Sequence, residues 1–275
     1  MADVTPAVKW CGGKGSLLHE FTQVWPTSFN NYYEPFVGGG SVFLKFIAGA
    51  GTSTPCYVSD ILEPLINMYN VIKSSPEELI KELALPKYKF TPTNFQTNRD
   101  HYNRVSRDPS VDPVVKATLF LFLNKTGFNG MYRENGKGFY NIPIGRYNNP
   151  TILDEAHLRA LHKAFQGVTF GCLSYDKALM KAGPGDFVYL DPPYHGTFTS
   201  YSTFKWNDQS QRDLKACVDV LTAKGVKVLL SNSETDFIKD LYKGYTITVI
   251  QTKRSINSVG SRRKNVVNEV LIRNY

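Results

Sequence analysis

Phe187-Val188-Tyr189-Leu190-Asp191-Pro192-Pro193-Tyr194 is the stretch from which the rest of the chain is read. An apolar run of strand length and strand composition ends in a carboxylate, two prolines and an aromatic. Proline fixes φ and has no N–H to donate, so a strand must stop at Asp191 and the backbone leaves it stiffly. In an open α/β sheet this puts Asp191 at the carboxyl end of a strand, where such folds bind ligands. The loop then offers a carboxylate and a proline carbonyl as acceptors beside a flat aromatic face. That set suits a planar heterocycle carrying an exocyclic amino group. An ordinary strand exit with a double proline uses the same residues, so the other motifs must decide.

The chain has 275 residues, enough for one domain with an insertion or for two domains. Hydrophobic content of 42% and charged content of 20% fit an ordinary globular protein. No apolar run approaches bilayer-spanning length and no signal-peptide pattern opens the chain, which predicts a cytoplasmic protein without membrane contact. Cys11, Cys56, Cys172 and Cys217 are scattered, with no CxxC and no partnering His spacing. They predict reduced, mostly buried thiols and no metal. The net charge of +8 is uneven: residues 61–150 hold twelve Lys/Arg against eight Asp/Glu, and the last 25 residues hold six against one. Basic patches commonly face nucleic acid, although many are merely solvated faces.

Working outward, Lys9-Trp10-Cys11-Gly12-Gly13-Lys14 precedes a helical pattern through Leu17, Leu18, Phe21 and Val24. Paired glycines let a backbone approach a ligand, but such turns are common. Tyr32–Ser41 reads as a short strand, the glycine turn Gly38-Gly39-Gly40 and an apolar helix start. Asp60 ends a second strand twenty residues after Gly40. That offset suits a carboxylate accepting from ribose hydroxyls, and equally a cap on the helix that follows. Helical patterns at 61–73 and 76–84 lead to polar loops around 86–110, and Asp112-Pro113 opens another helix at 114–123. Residues 126–147 alternate Gly, aromatics, amides and bases. This composition fits a β-hairpin whose aromatics wedge and whose Arg residues reach bases, and it also fits a plain surface hairpin. From 151, helix 154–165, strand 167–172, the Asp191 strand, a loop at 197–204, helix 207–224 and strands 227–231, 245–250 and 269–275 alternate. The pattern predicts an α/β doubly wound sheet, residues 1–65 and 149–275, interrupted by a basic insert at 66–148.

These blocks together resemble DNA adenine N6-methyltransferases of the Dam type over nearly the whole chain. The matching blocks are Lys-Trp-x-Gly-Gly-Lys (9–14), Glu-Pro-Phe-Val-Gly (34–38), Ser-Asp (59–60), Phe-Asn-Gly-Met-x-Arg (128–133), Asn-x-Pro-x-Gly-Arg-Tyr (141–147), Asp-Pro-Pro-Tyr (191–194) and Arg-Ser-Ile-x-Ser (254–258). Two positions depart: the usual Ala after Lys-Trp is Cys11, and a Glu expected beside Ser174-Tyr175 is Leu173. The resemblance implies a Rossmann-like methyltransferase sheet with an inserted, mainly helical target-recognition domain carrying the hairpin. It implies S-adenosylmethionine as cofactor, lined by Trp10, Lys14, Phe36, Gly38, Gly40, Asp60, Tyr175 and Asp191. It implies catalysis by Asp191, Pro192, Pro193 and Tyr194 on an adenine flipped out of double-stranded DNA, within GATC. Lys9, Phe128, Asn129, Met131, Arg133, Pro143, Arg146 and Arg254 would contact the DNA. The chemistry needs no covalent intermediate and no cysteine. A chain of this kind belongs in the cytoplasm of a bacterial cell, whether chromosomal or phage-encoded.

Overall fold

The computed structural model describes residues 4–50, 54–197, 206–253 and 266–275. Seven strands, β1 (Tyr32–Glu34), β2 (Cys56–Asp60), β3 (Val168–Cys172), β4 (Phe187–Leu190), β5 (Lys227–Ser233), β6 (Thr246–Lys253) and β7 (Val266–Arg273), form one sheet. Their order is β3-β2-β1-β4-β5-β7-β6. The first five pair in parallel, and β7 runs antiparallel between β5 and β6. The order therefore reverses between β1 and β4. The connections leaving those two strands depart in opposite directions and open a crevice at their carboxyl ends.

Helices α1 (Leu18–Val24), α2 (Ser41–Ala50), α3 (Glu63–Ser74), α4 (Pro76–Leu83), α5 (Pro92–Val105), α6 (Pro113–Thr126), α7 (Glu155–Ala164), α8 (Tyr175–Ala178), α9 (Asp208–Ala223) and α10 (Asp236–Leu241) cover both faces. Strand side chains alternate between two cores. Tyr32, Val58, Phe187, Tyr189 and Leu229 point into one with Phe21 and Phe43. Tyr33, Val188, Leu190, Val228 and Leu230 point into the other with Leu214, Val218 and Ile238. Burial on both faces explains why β4 is apolar at every position rather than at every second one.

Residues 66–148, expected to form the insert, carry most of α3 together with α4, α5 and α6. Residues 117–123 of α6 are all buried, so it carries no polar stripe. Asp112 caps its start and accepts from Val114 N at 2.8 Å. The expected insert boundary at residue 66 falls inside α3, which contributes to the same apolar core as the sheet and α6.

Three expectations are corrected. The polar stretch around 86–110 is not loop throughout: α5 fills 92–105. Its sequence is mostly polar because only Phe95, Asn98 and Tyr102 turn inward, while Thr91 caps it and Pro92 opens it. The hairpin is a pair of isolated antiparallel bridges, Gly127 with Ile144 and Glu134 with Tyr140, not a continuous ladder. Side chains replace the missing rungs: Asn103 of α5 accepts from Tyr140 N at 2.8 Å and donates to its carbonyl at 3.2 Å. The thiols are free, but only Cys56 is buried and Cys172 is exposed. No helix among the described residues is long and apolar enough to cross a membrane.

Candidate active site

Asp191 follows β4 directly and lies at the switch point. Its two carboxylate oxygens are oriented by different segments. Lys14 Nζ donates to Oδ2 at 2.7 Å, and Ser231 Oγ, from β5, donates to Oδ1 at 2.7 Å. Lys14 is 6% exposed and its ammonium also donates to the Gly12 carbonyl at 2.7 Å. The same ammonium lies 4.7 Å from the centre of the Tyr194 ring. Tyr194 donates its hydroxyl to Glu269 Oε2 of β7 at 2.8 Å. Burial, then the Asp191 and Glu269 carboxylates, push the Tyr194 phenol well above its ordinary range, so it stays protonated and remains a donor.

The double proline behaves as its chemistry requires. The Pro193 carbonyl accepts from Gln211 Nε2 of α9 at 2.9 Å, which pins the loop. The Pro192 carbonyl has no hydrogen-bond partner among the described residues. A carboxylate accepts at about four lone-pair sites, so Asp191 keeps acceptor capacity beyond Lys14 and Ser231. Asp191 and the Tyr194 ring thus share the Lys14 ammonium, with the Pro192 carbonyl between them in sequence.

The neighbouring strand end carries the glycine turn. Trp10 lies directly on it: a Cβ at Gly38 would come 2.7 Å from Trp10 Nε1, and one at Gly39 2.7 Å from Trp10 Cβ. Gly38 and Gly40 also take φ of +47° and +77°, which L side chains rarely adopt. Asp60 accepts from Gly38 N and Leu62 N at 3.1 Å each. Burial raises its carboxyl above the ordinary value, against the pull of these backbone donors. The carboxylate thus fixes the turn as well as the start of α3. Phe36 stacks on Tyr175 with centroids 5.6 Å apart, and Trp206 closes on both edges. Leu173, where an acid was expected, is 42% exposed. Glu34, at the end of β1, is buried and accepts the Tyr32 hydroxyl at 2.5 Å.

The expected DNA-facing residues divide by exposure. Phe128, Asn129, Pro143 and Arg146 are exposed, and Phe128, Pro143 and Arg146 line a shallow groove with Ile144. Asn129 sits at φ +55°, a left-handed position that Asn tolerates better than most residues. Lys9 is exposed, with its ammonium 4.4 Å over the Tyr147 ring. Met131 differs: it is partly buried and packs against the core, so Phe128 is the more available apolar residue. Arg133 is half-buried and donates through Nε to Asn141 Oδ1 at 2.8 Å. Arg254 and the block 254–258 lie outside the described residues, as does most of the loop at 197–204.

Sequence reasoning missed Ser231, Gln211, Glu269, Asn232 and Asn124. Asn232 accepts from His195 N at 3.0 Å and donates to Gln211 at 3.2 Å, closing the support behind the proline loop. Ser231-Asn232 at the end of the apolar run of β5 was the one available signal, since polar residues at a strand's carboxyl end face the crevice.

The family model for D12 class N6 adenine-specific DNA methyltransferases matches residues 10–256. Type II methyltransferase M.MjaIII of Methanocaldococcus jannaschii is 36% identical over 289 residues, covering 99% of this chain and 100% of that protein. Type II methyltransferase M1.LlaDCHI of Lactococcus lactis subsp. cremoris is 32% identical, covering 99% and 96%. A DNA adenine methylase of Escherichia coli K12 is 34% identical, covering 94% and 91%.

Proposed function

The chain belongs to the D12 class of N6 adenine-specific DNA methyltransferases, and we propose that it methylates adenine in GATC after flipping the base out of the duplex. The enzyme class follows from the family; the target sequence and the flipping are our reading. The observation that carries it is the placing of the Asp191 carboxylate and the Tyr194 ring about one buried ammonium, Lys14, at the carboxyl end of β4.

The cofactor, S-adenosylmethionine, supplies when bound an electrophilic methyl group on a sulfonium. The residues beside the crevice fit it: the glycine turn at Gly38 with Trp10 packed on it, the Asp60 carboxylate for ribose hydroxyls and the Phe36 ring for an apolar contact. Adenine N6 is a poor nucleophile because its lone pair is delocalised into the ring. Asp191 and the Pro192 carbonyl each accept one N6 hydrogen and draw the lone pair out of conjugation. Lys14 and Ser231 hold the Asp191 carboxylate in a fixed orientation before the base arrives, so no reorganisation is needed at reaction. Tyr194, anchored by Glu269, offers the face on which a flipped base stacks.

Incubation with plasmid and methyl-labelled cofactor, followed by mapping of modified adenines, tests this reading. We expect label on adenine N6 in GATC and none on RNA or protein. Asp191→Ala should lose at least about 100-fold in kcat, the usual cost of removing one preorganised transition-state contact. Wild-type turnover by that variant, or label in another sequence, contradicts the proposal.

A further inference from the structure

We infer that Asn124 is a positioning residue that couples target selection to the cofactor and catalytic sites, acting through a strap formed by residues 9–14. The inference rests on the reading of the protein as a sequence-selective adenine methylase. Asn124 sits near the end of α6 and is 3% exposed. Its amide pairs with Lys9 as a neighbouring strand would. Oδ1 accepts from Lys9 N at 3.0 Å, and Nδ2 donates to Lys9 O at 2.9 Å. Nδ2 also donates to the Gly130 carbonyl at 2.8 Å. Both amide hydrogens and the oxygen are therefore engaged. One side chain thus fixes the N-terminal segment against the turn that presents Phe128 and Asn129.

The fit at this junction leaves no slack. A Cβ at Gly130 would overlap the Lys9 side chain, and Gly130 itself holds φ +62°. The far end of the Lys9 side chain is tied to the insert as well. It lies over Tyr147, whose hydroxyl donates to the Gly127 carbonyl at 3.1 Å.

From Lys9 the strap runs through both other sites within five residues. Trp10 packs on Gly38 and Gly39 of the cofactor turn. Its carbonyl accepts from Gly13 N at 3.2 Å, closing the turn that carries Gly12. The Gly12 carbonyl then takes Lys14 Nζ, which reaches Asp191. A shift of the recognition turn therefore moves Lys9 through Asn124, and Trp10 and Lys14 follow because the segment is short and fixed at each step. A wrong sequence misplaces the turn, and the misplacement is felt at the cofactor turn and at the catalytic carboxylate.

The test begins by mapping the sequence that the wild-type enzyme methylates. Initial rates are then measured on that sequence and on its one-base variants for the wild type, Asn124→Ala, Asn124→Asp and Gly130→Ala. The KM for S-adenosylmethionine and the thermal midpoint are measured for each. We expect the preference for the mapped sequence to fall about ten-fold or more in all three variants, the scale of a lost buried hydrogen-bonded contact. The cofactor KM should rise in the same variants.

Asn98→Ala is the structural comparator. Asn98 is equally buried, but among the described residues its side chain bonds only to Lys87 O and Asn94 O, both within 66–148. It should lower the thermal midpoint and leave preference and cofactor KM unchanged. Asn124 variants that lose activity equally on every sequence, or keep the wild-type cofactor KM, overturn the inference. Should Asn124→Ala fail to fold, Gly130→Ala decides, since it disturbs the same contact from the turn. A wild type that leaves DNA adenine unmodified sinks the functional reading itself, and this outcome is distinct from the others.

Discussion

At the scale of a single side chain, we propose that Arg133 reads a base. Its Nε is spent on Asn141, and its two terminal nitrogens make no hydrogen bond among the described residues. Anchoring Nε fixes the plane of the guanidinium and leaves the terminal pair to face the N7 and O6 acceptors of a guanine. Such a pair discriminates by about 1–3 kcal/mol. Arg133→Ala should therefore tolerate substitution at one position of the target while the others stay strict. Mapping methylated adenines against a library of one-base target variants checks this, and an even loss at all positions would make Arg133 a phosphate ligand. Glu34 poses a different residue-scale question. Burial, opposed in part by the Tyr32 hydrogen bond, raises its carboxyl well above the ordinary Glu range. The folded state thus holds the proton more tightly than the unfolded chain, whose Glu ionises near about pH 4.3. Its contribution to stability is complete below that pH and is lost as pH rises towards the folded value. Glu34→Gln keeps an acceptor for Tyr32 and cannot ionise. It should melt above the wild type at neutral pH, with the gap closing as pH falls towards 4. A gap independent of pH would separate Glu34 ionisation from folding.

At the scale of elements, α9 illustrates what the chain discloses about itself. A helix over 207–224 stopping at Gly225 is expected, and α9 occupies 208–223 with Gly225 at φ +76°. Asn207 caps it: its side chain accepts from Ser210 N at 3.1 Å, and Ser210 Oγ accepts from Asn207 N in return. Asn207→Ala should cost about 1 kcal/mol in denaturant unfolding, and Asn207→Ser should retain most of the stability. Gln211 lies in the second turn and holds Pro193, so the Ala variant should also lower kcat more than it changes the cofactor KM. An unchanged kcat would mean the proline loop does not depend on that turn. Elements with a strong apolar period were legible in this way, as were residues at strand ends, namely Asp60, Asp191 and the glycine turn. Helix α5 was not, because one narrow inward face leaves too few apolar residues to set a period. The supports of the site were not legible either. Ser231 meets Asp191 across 40 residues, Glu269 meets Tyr194 across 75, and Asn124 meets Lys9 across 115. Pairings of that kind arise from packing between segments and leave no local pattern.

For the whole molecule, the sheet and the charge divide the labour. The crevice between β1 and β4 is where we propose the chemistry takes place, while the positive excess lies in residues 61–150 and in the last 25 residues. Charge of this kind binds the phosphate backbone of any sequence, and its strength falls with salt by about 0.9 units of log K per log salt for each phosphate neutralised. Arg254, Arg262, Arg263 and Lys264 lie outside the described residues, and we propose that they act in this unselective way, as distinct from Arg133. Arg254→Ala should then weaken binding to target and scrambled duplexes by the same factor and flatten the salt dependence by roughly one unit. Its methylated sequence should stay the same. Titrating both duplexes by fluorescence anisotropy at several salt concentrations gives the two slopes. An unchanged slope would remove Arg254 from the phosphate contacts. A flattening confined to the target duplex, or a relaxed methylation sequence, would instead make the C-terminal segment part of the base-reading surface.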